Sequence, residues 1–314
     1  MTAVLPLLEG VRLMPAHRVV SFIANESGLR LDKYVSEKCP ELSRTQAQKL
    51  VSDGLVTVNG QVAKAGFKLS AGDRVRITLP PPRESPAPEA MPLSIVYEDS
   101  DLLVVDKPAG LTVHPAPGHP SHTLINAILS HVPRLPEADD LQRPGVVHRL
   151  DKDASGLMVV AKNKEAQLNL ASQFKARSVV KAYLVLVKGH LTPDDGVIEA
   201  PIGRDPCNRK RMAVAAQGEG REARTDYHVL RHIGEYTLLE VRPETGRTHQ
   251  IRVHLSAIGY PVFGDRVYGA RSERLPRLFL HACRLGFRLP SSGEYREFTS
   301  NLPPDLERVL EDIG

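Results

Sequence analysis

A group of charged and polar side chains between two apolar segments is the first feature of this sequence that could perform chemistry. In GVVHRLDKDASGLMVVAKN (145–163), the apolar flanks predict strands, and the loop between them contains His148, Arg149 and Asp151. Asp151 directly follows Leu150, at the end of buried strand sequence, so its carboxylate needs a cationic partner to stay ionised. The simpler alternative is a solvated charged loop without a chemical role.

A second segment offers that cationic partner. RPETGRTHQIRVHLSAIGYPVFGD (242–265) predicts a helix that is capped by Thr248 and ends at Gly259. Arg252 lies off the apolar stripe of this helix. A planar guanidinium can hold a carboxylate through two parallel hydrogen bonds, and we expect Arg252 to hold Asp151 in this way.

No metal or nucleotide cofactor is predicted. His249 and His254 are five residues apart, so they do not share one helix face as a zinc-binding pair does. The loop 114–122 contains three histidines without an acidic or cysteine ligand, and no glycine-rich loop joins a strand to a helix.

Tyr183 lies in the alternating segment KAYLVLVKG (181–189), on the same predicted strand face as Val185 and Val187. It is either a core tyrosine or an aromatic platform on which a displaced base could stack. A hydrolase with two carboxylates is the nearest rival chemistry. Asp153 would be the second carboxylate, but it shares the polar loop and is expected to face solvent.

The elements around these residues predict an α+β protein with two parts. Residues 29–77 predict two short helices and a small sheet with an Asn59-Gly60 hairpin turn. The Pro-rich segment 80–92 predicts a semi-rigid linker without packing partners. Apolar β segments dominate from residue 93 onward and predict a mainly antiparallel sheet. The predicted divisions are a tail (1–17), a small module (18–79), the linker (80–92) and a larger domain (93–314).

Charge and composition narrow the class of protein. Of 314 residues, the first 80 hold 11 Lys and Arg against 7 Asp and Glu, whereas the remainder holds 30 against 30. The excess positive charge therefore lies in the N-terminal module, as expected for binding a polyanion. Three scattered cysteines predict no disulfide framework, and neither a signal peptide nor a membrane span is predicted. A cytoplasmic monomer is expected.

Residues 29–77 resemble the RNA-binding module first described in ribosomal protein S-four. SRTQAQKLVSDGLVTVNG is the most specific part of this resemblance. It implies that the second helix of the module faces phosphate, with Arg44 and Lys49 as candidate RNA-binding residues.

Four motifs resemble the pseudouridine synthase family that includes the large-subunit rRNA enzymes. They are HRLDKDASGL, KPAGLTVHPAPGH, KAYLVLVKG and TGRTHQIRVHLSAIGYPVFGDRVYG. The resemblance implies that Asp151 is the nucleophile or base, that Tyr183 stacks on the target and that Arg252 pairs with the catalytic carboxylate. His148 and Arg149 are the candidate substrate-binding residues beside it. Ala154 stands where this family more often has Thr.

The resemblance implies a mixed, mainly antiparallel sheet with a central active-site cleft. It also implies isomerisation of uridine to pseudouridine in RNA, without a cofactor. Large-subunit (23S) ribosomal RNA, free or in precursor particles, is the expected substrate. The alternatives are the same chemistry on transfer RNA or another rRNA site, and a non-catalytic RNA-binding or ribosome-assembly factor.

Overall fold

The computed structural model contains two compact units, Met1–Glu84 and Ser85–Gly314. The predicted tail (1–17) and the first part of the predicted linker (80–84) lie outside the described residues. The structure describes residues 18–42, 44–79, 85–116, 118–136, 143–208, 211–216, 218–269 and 272–314.

The first unit packs two helices on a small antiparallel sheet. Its sheet has the order β1-β4-β2-β3. The predicted turn joins β2 to β3, with positive φ at Asn59 (52°) and Gly60 (83°). One strand, β1, precedes the predicted helices and was missed, because its side chains alternate between exposed and half-buried and give only a weak apolar pattern. The elements are β1 (Arg18–Ile23), α1 (Leu31–Lys38), α2 (Arg44–Ser52), β2 (Val56–Val58), β3 (Gln61–Val62) and β4 (Arg74–Leu79).

The second unit is built on a nine-stranded sheet. The strand order is β5-β6-β7-β14-β8-β13-β12-β9, with β15 paired to β14. Only the β7–β14 pair is parallel among the pairings of the described strands, which confirms the predicted mixed, mainly antiparallel sheet. Its strands are β5 (Ser94–Glu98), β6 (Leu102–Lys107), β7 (Ser155–Ala161), β8 (Val180–Lys188), β9 (Asp195–Glu199), β12 (Arg224–Ile233), β13 (Tyr236–Pro243), β14 (Leu280–Arg288) and β15 (Tyr295–Thr299).

Four helices and a short hairpin complete this unit. Helices α3 and α5 pack with the apolar core on one face of the sheet, while α4 and α6 pack with core clusters on the other. The central strand β7 is therefore buried on both faces, which explains its uninterrupted apolar sequence. These elements are α3 (Leu124–His131), α4 (Lys164–Lys175), β10 (Ile202–Arg204), β11 (Met212–Val214), α5 (Gln250–Ala257) and α6 (Pro304–Ile313).

Strand β14 lies between β7 and β8 at the centre of the sheet. Its parallel pairing with β7 depends on Gly156, which has φ +114°. A Cβ atom at Gly156 would lie 2.3 Å from the carbonyl oxygen of Ala282 on β14. Only glycine permits this approach, so the position of the loop that precedes β7 is fixed against β14.

The expectation that the linker lacks packing partners is wrong for residues 85–90. The Ala87 carbonyl accepts a hydrogen bond from the Asn126 side chain at 2.7 Å, and the Glu89 amide donates to the Asn126 carbonyl at 2.9 Å. Glu89 also pairs with His122. Residues 85–90 thus pack on α3 and belong to the second unit, because their backbone and acidic side chain find polar partners that the proline content did not reveal.

Candidate active site

A cleft of about 570 Å³ opens beside β8, the loop before β7 and the start of α5. The structure brings five of the predicted site residues together in its lining. They are His148, Arg149, Asp151, Tyr183 and Arg252.

Arg252 joins Asp151 to a second carboxylate, Asp265. Its Nη1 donates to Oδ2 of Asp151 at 2.9 Å. Its Nε and Nη2 donate to the two carboxylate oxygens of Asp265 at 2.7 and 2.9 Å. The side chains of Arg252, Asp151 and Asp265 are 6%, 14% and 0% exposed. Two carboxylates therefore share one largely buried guanidinium.

The expected two-point contact between Arg252 and Asp151 is wrong, because the planar fork is occupied by Asp265. Asp265 in turn accepts hydrogen bonds from the amides of Val267 (2.8 Å) and Tyr268 (3.1 Å). Burial opposes its charge, but these donors and Arg252 hold the pKa of Asp265 below its ordinary value. The sequence offered one signal for Asp265, an acidic residue shortly after the predicted helix that carries Arg252.

Arg252 stays charged in this site. Burial alone would lower its pKa, but hydrogen bonds and charges of Asp265 and Asp151 outweigh burial and raise the pKa of Arg252. Asp151 holds one oxygen against Arg252, and its Oδ1 has no hydrogen-bond partner within the described ranges. The cleft thus contains a positioned carboxylate with one oxygen available to substrate.

Lys107 holds the loop that carries Asp151 through hydrogen bonds to backbone carbonyls. This fully buried lysine donates from Nζ to the carbonyls of Pro108 (2.8 Å), Leu111 (2.9 Å) and Lys152 (3.1 Å). Burial lowers the pKa of Lys107 to about 7, against the attraction of Asp153 and Asp151. Three carbonyl acceptors match the three N–H groups of an ammonium, so the geometry assigns Lys107 the charged form. No sequence pattern predicted a buried lysine at this position.

Tyr183 is buried on β8 and lines the cleft. Burial and the nearby charge of Asp151 raise the pKa of Tyr183, so its hydroxyl remains protonated at neutral pH. Tyr183 also packs in the apolar core of the sheet face that carries α3 and α5. Tyr183 is therefore a core tyrosine that also lines the cleft, and its stacking on a displaced base remains a prediction.

His148 and Arg149 occupy different environments. Nε2 of His148 accepts a hydrogen bond from the Val159 amide at 3.0 Å, and the ring stacks on Phe174 with centroids 4.6 Å apart. Burial and the Lys181 charge lower the pKa of His148 to about 3, so this ring is neutral and forms a wall of the cleft. Arg149 is exposed at the surface of the cleft.

The cleft lining carries more positive than negative charge. Its carboxylates are Asp151 and Glu244. Burial and the charge of Arg177 lower the pKa of Lys181, one of its cations, to about 8. A cleft with this charge pattern attracts an anionic polymer. The cations besides Arg252 are Arg143, Arg149, Lys175, Arg177, Lys181 and Arg247.

In the first unit, α2 presents Arg44 and Lys49 at the surface. Arg44 contacts Oδ2 of the buried Asp32 at 3.3 Å from both Nε and Nη2, and Arg30 and Gln48 bind the same carboxylate. Asp32 thus orients two arginines whose side chains remain half exposed, 46% for Arg30 and 52% for Arg44.

The start of α5 differs from the prediction. The helix begins at Gln250 with His249 as its N-cap in a left-handed conformation, and Thr248 does not cap it. Gln250 accepts from the Arg247 amide at 3.0 Å and so holds the preceding loop. His254 is buried with its ring bonded to Thr225 and Ala200, away from His249.

Within the part of the chain that the structure describes, no group of three or more His, Cys, Asp or Glu residues is placed to hold a metal ion. No helix in the same part is long and apolar enough to cross a membrane.

Two known protein families match this chain. The family model described as RNA pseudouridylate synthase matches residues 101–257, and the S4 domain matches residues 29–75. The solved structure of human RNA pseudouridylate synthase domain containing 1 is similar with a TM-score of 0.57 and 33% identity, over 68% of this chain and 86% of that one.

Two bacterial relatives cover nearly the whole chain. The RNA pseudouridine synthase YlyB of Bacillus subtilis is 46% identical over 286 residues, which are 90% of this chain and 94% of the relative. The ribosomal large subunit pseudouridine synthase D of Nitrosomonas europaea is 45% identical over 300 residues, 92% of this chain and 86% of the relative. The motifs, the cleft and these matches together show that this chain belongs to the RNA pseudouridine synthase family.

Proposed function

We propose that the chain converts uridine to pseudouridine in large-subunit (23S) ribosomal RNA and that Asp151 is the group that acts on the nucleotide. The observation that carries the role of Asp151 is its carboxylate in the cleft, with Oδ2 held by Arg252 at 2.9 Å and Oδ1 uncommitted among the described residues. The rRNA substrate is supported by a relative, 45% identical, that is named a ribosomal large subunit pseudouridine synthase.

The reaction breaks the N-glycosidic bond of uridine, rotates the uracil and rejoins it to the sugar through carbon. An ionised Asp151 can start this sequence either by attacking the nucleotide or by removing a sugar proton. Arg252 holds one oxygen of this carboxylate in place at 2.9 Å, and the protonated hydroxyl of Tyr183 can act as a donor. Both routes require a negatively charged Asp151 carboxylate beside the sugar of the target uridine.

The target base must leave its stack before it reaches Asp151, which costs a few kcal/mol. Arg149 is exposed at the cleft and can fill the space that the displaced base leaves, while Tyr183 offers a ring surface within the cleft. The surrounding cations bind the phosphates of the flanking nucleotides and offset this cost.

The test is conversion of in vitro transcribed 23S rRNA and transfer RNA, mapped by carbodiimide-induced primer-extension stops. We expect stops in 23S rRNA with the wild type and none with Asp151→Asn, although this variant still binds RNA. Stops confined to transfer RNA would overturn the rRNA assignment. Conversion by Asp151→Asn at even a tenth of the wild-type rate would overturn the role of Asp151.

Arg252 provides a graded control for the same assay. Arg252→Lys keeps a positive charge but loses the planar fork, so activity should fall less than with Arg252→Ala. Unconverted RNA with a folded, RNA-binding wild type would instead favour the non-catalytic binding factor.

A further inference from the structure

His249 is a cleft residue that the proposed action of Asp151 does not use. It lines the cleft beside Asp151 and Arg252. Its backbone has φ +57°, in the left-handed region that disfavours side chains with a Cβ atom. Such conformations concentrate at functional sites, where the rest of the structure holds them in place.

Tyr268 determines the orientation of the His249 ring. The Tyr268 hydroxyl lies 2.9 Å from Nδ1 of His249 and accepts a hydrogen bond from the Met212 amide at 2.8 Å. The hydroxyl proton needs an acceptor of its own, and Nδ1 is the acceptor that the described residues offer. Donation to Nδ1 places the proton of a neutral imidazole on Nε2.

The surroundings keep this imidazole neutral. Burial lowers the pKa of His249 most, the charges of Arg252 and Arg149 also lower it, and those of Asp151 and Asp265 oppose them with a net downward shift. A neutral ring with its proton on Nε2 is a hydrogen-bond donor that brings no additional charge to the Asp151–Arg252 pair.

Tyr268 is itself part of the assembly that positions Asp151. Its ring centre lies 5.0 Å from the Arg252 guanidinium, and its amide donates to Asp265 at 3.1 Å. Its carbonyl accepts from the Ser256 hydroxyl on α5 at 2.9 Å. The distance between His249 and the reacting carboxylate is therefore set by the contacts that hold Arg252.

Nε2 of His249 is the free end of this arrangement. It has no hydrogen-bond partner across the described ranges, and it is not fully buried. Because the His249 ring lines the cleft, Nε2 is open to it. We propose that His249 contacts the substrate, donating a hydrogen bond from Nε2 to a carbonyl oxygen of the uracil that lies beside Asp151. This inference rests on the proposed action of Asp151 on uridine.

The chemistry of the reaction gives such a donor a purpose. When the glycosidic bond breaks, the departing uracil gains negative charge on its ring nitrogen and carbonyl oxygens, and a fixed donor stabilises charge that develops during the reaction. The same donor limits the directions in which the detached base can rotate.

Two substitutions separate the donor from the rest of the ring. His249→Asn tolerates the left-handed backbone and can still accept from Tyr268, but it has no donor at the position of Nε2. His249→Gln places an amide N–H near that position. We expect single-turnover conversion to fall by about tenfold to a hundredfold in His249→Asn, with a smaller loss in His249→Gln. Thermal unfolding and RNA affinity are measured for both variants.

A substrate substitution gives a readout that a merely structural role would not change. The substrate is whichever transcript, 23S rRNA or transfer RNA, the wild type is found to convert. The test can therefore be carried out even if the rRNA assignment is wrong. Replacing O2 or O4 of the target uridine with sulfur, a weak acceptor, should slow the wild type at the contacted oxygen. His249→Asn has already lost the donor and should be slowed much less by the same sulfur.

Equal sulfur effects in the wild type and His249→Asn at both positions would overturn the contact. A folded His249→Gln that loses as much activity as His249→Asn would overturn the donor role. Either result would leave the assignment of Asp151 standing, because that assignment depends on Asp151→Asn.

Discussion

Because Arg252 binds both Asp265 and Asp151, we predict that neutralising one of these carboxylates affects stability and activity differently from neutralising the other. Asp265 is fully buried and receives two hydrogen bonds from Arg252 and two from backbone amides. Asp265→Asn would turn an amide N–H toward the Nε of Arg252, where two donors oppose each other. Removing one partner of a buried ion pair costs about 3–5 kcal/mol, which for a domain of this size lowers the Tm by about 6–20 °C.

Asp151→Asn should be far milder for stability. Asp151 receives a single hydrogen bond from Arg252, and Arg252 keeps its two bonds to Asp265 when the charge of Asp151 is lost. Exchanging a charged acceptor for a neutral one costs about 1 kcal/mol, or about 2–4 °C in Tm. The loss of repulsion between the two carboxylates offsets part of this cost.

Calorimetry and single-turnover conversion of mapped RNA together test this separation. Asp151→Asn should retain stability and lose conversion, whereas Asp265→Asn should lose both, because the released Arg252 can turn both of its outer nitrogens toward Asp151. The exposed neighbour gives the control Asp153→Asn, which should change neither measurement strongly. If Asp151→Asn destabilised the protein more than Asp265→Asn, the reasoning that Asp265 holds Arg252 would be refuted.

Three further predictions concern the aromatic ring of the cleft and the first unit. Tyr183→Phe should lower single-turnover conversion by roughly 10²–10⁴-fold if the hydroxyl donates a proton, and near-normal rates would remove that role. Arg30 is the main cause of the lowered pKa of Asp32. The ionised Asp32 therefore stabilises the first unit above the ordinary Asp pKa, and this stability is lost as the pH falls below it. In acid-unfolding titrations, Asp32→Asn should remove this pH dependence. Neutralising Arg44 and Lys49 with Gln should reduce the slope of log affinity against log salt by about one unit for each phosphate that the module no longer binds, and an unchanged slope would mean that neither side chain binds RNA.

The sequence was sufficient for the elements whose local signals agree. The polar loop before β7, the alternation that places Tyr183 with the core and the turn at Asn59-Gly60 are all present as predicted. Arg252 was placed on the correct helix and beside the correct carboxylate. Each of these depends on residues close together in the chain, or on a motif that resembles a known family.

The sequence was insufficient where a side chain had a choice of distant partners. The fork of Arg252 binds Asp265 rather than Asp151, and composition cannot rank two carboxylates that meet only after folding. The expected lack of packing partners failed for 85–90 because Asn126 on α3 satisfies backbone groups that a Pro-rich segment would otherwise leave to water. Thr248 was a plausible cap, but the loop is held by the Gln250 side chain instead.

The position of β14 at the centre of the sheet has a consequence for synthesis on the ribosome. Residues 280–288 leave the ribosome well after β7 and β8, yet β14 inserts between β7, which follows the Asp151 loop, and β8, which carries Tyr183. Until β14 has emerged, these two strands have no common neighbour and the two halves of the cleft cannot be set at their final separation. The active site can therefore form only after β14 has been made, and we expect a chain that ends before β14 to expose the inner edges of two apolar strands.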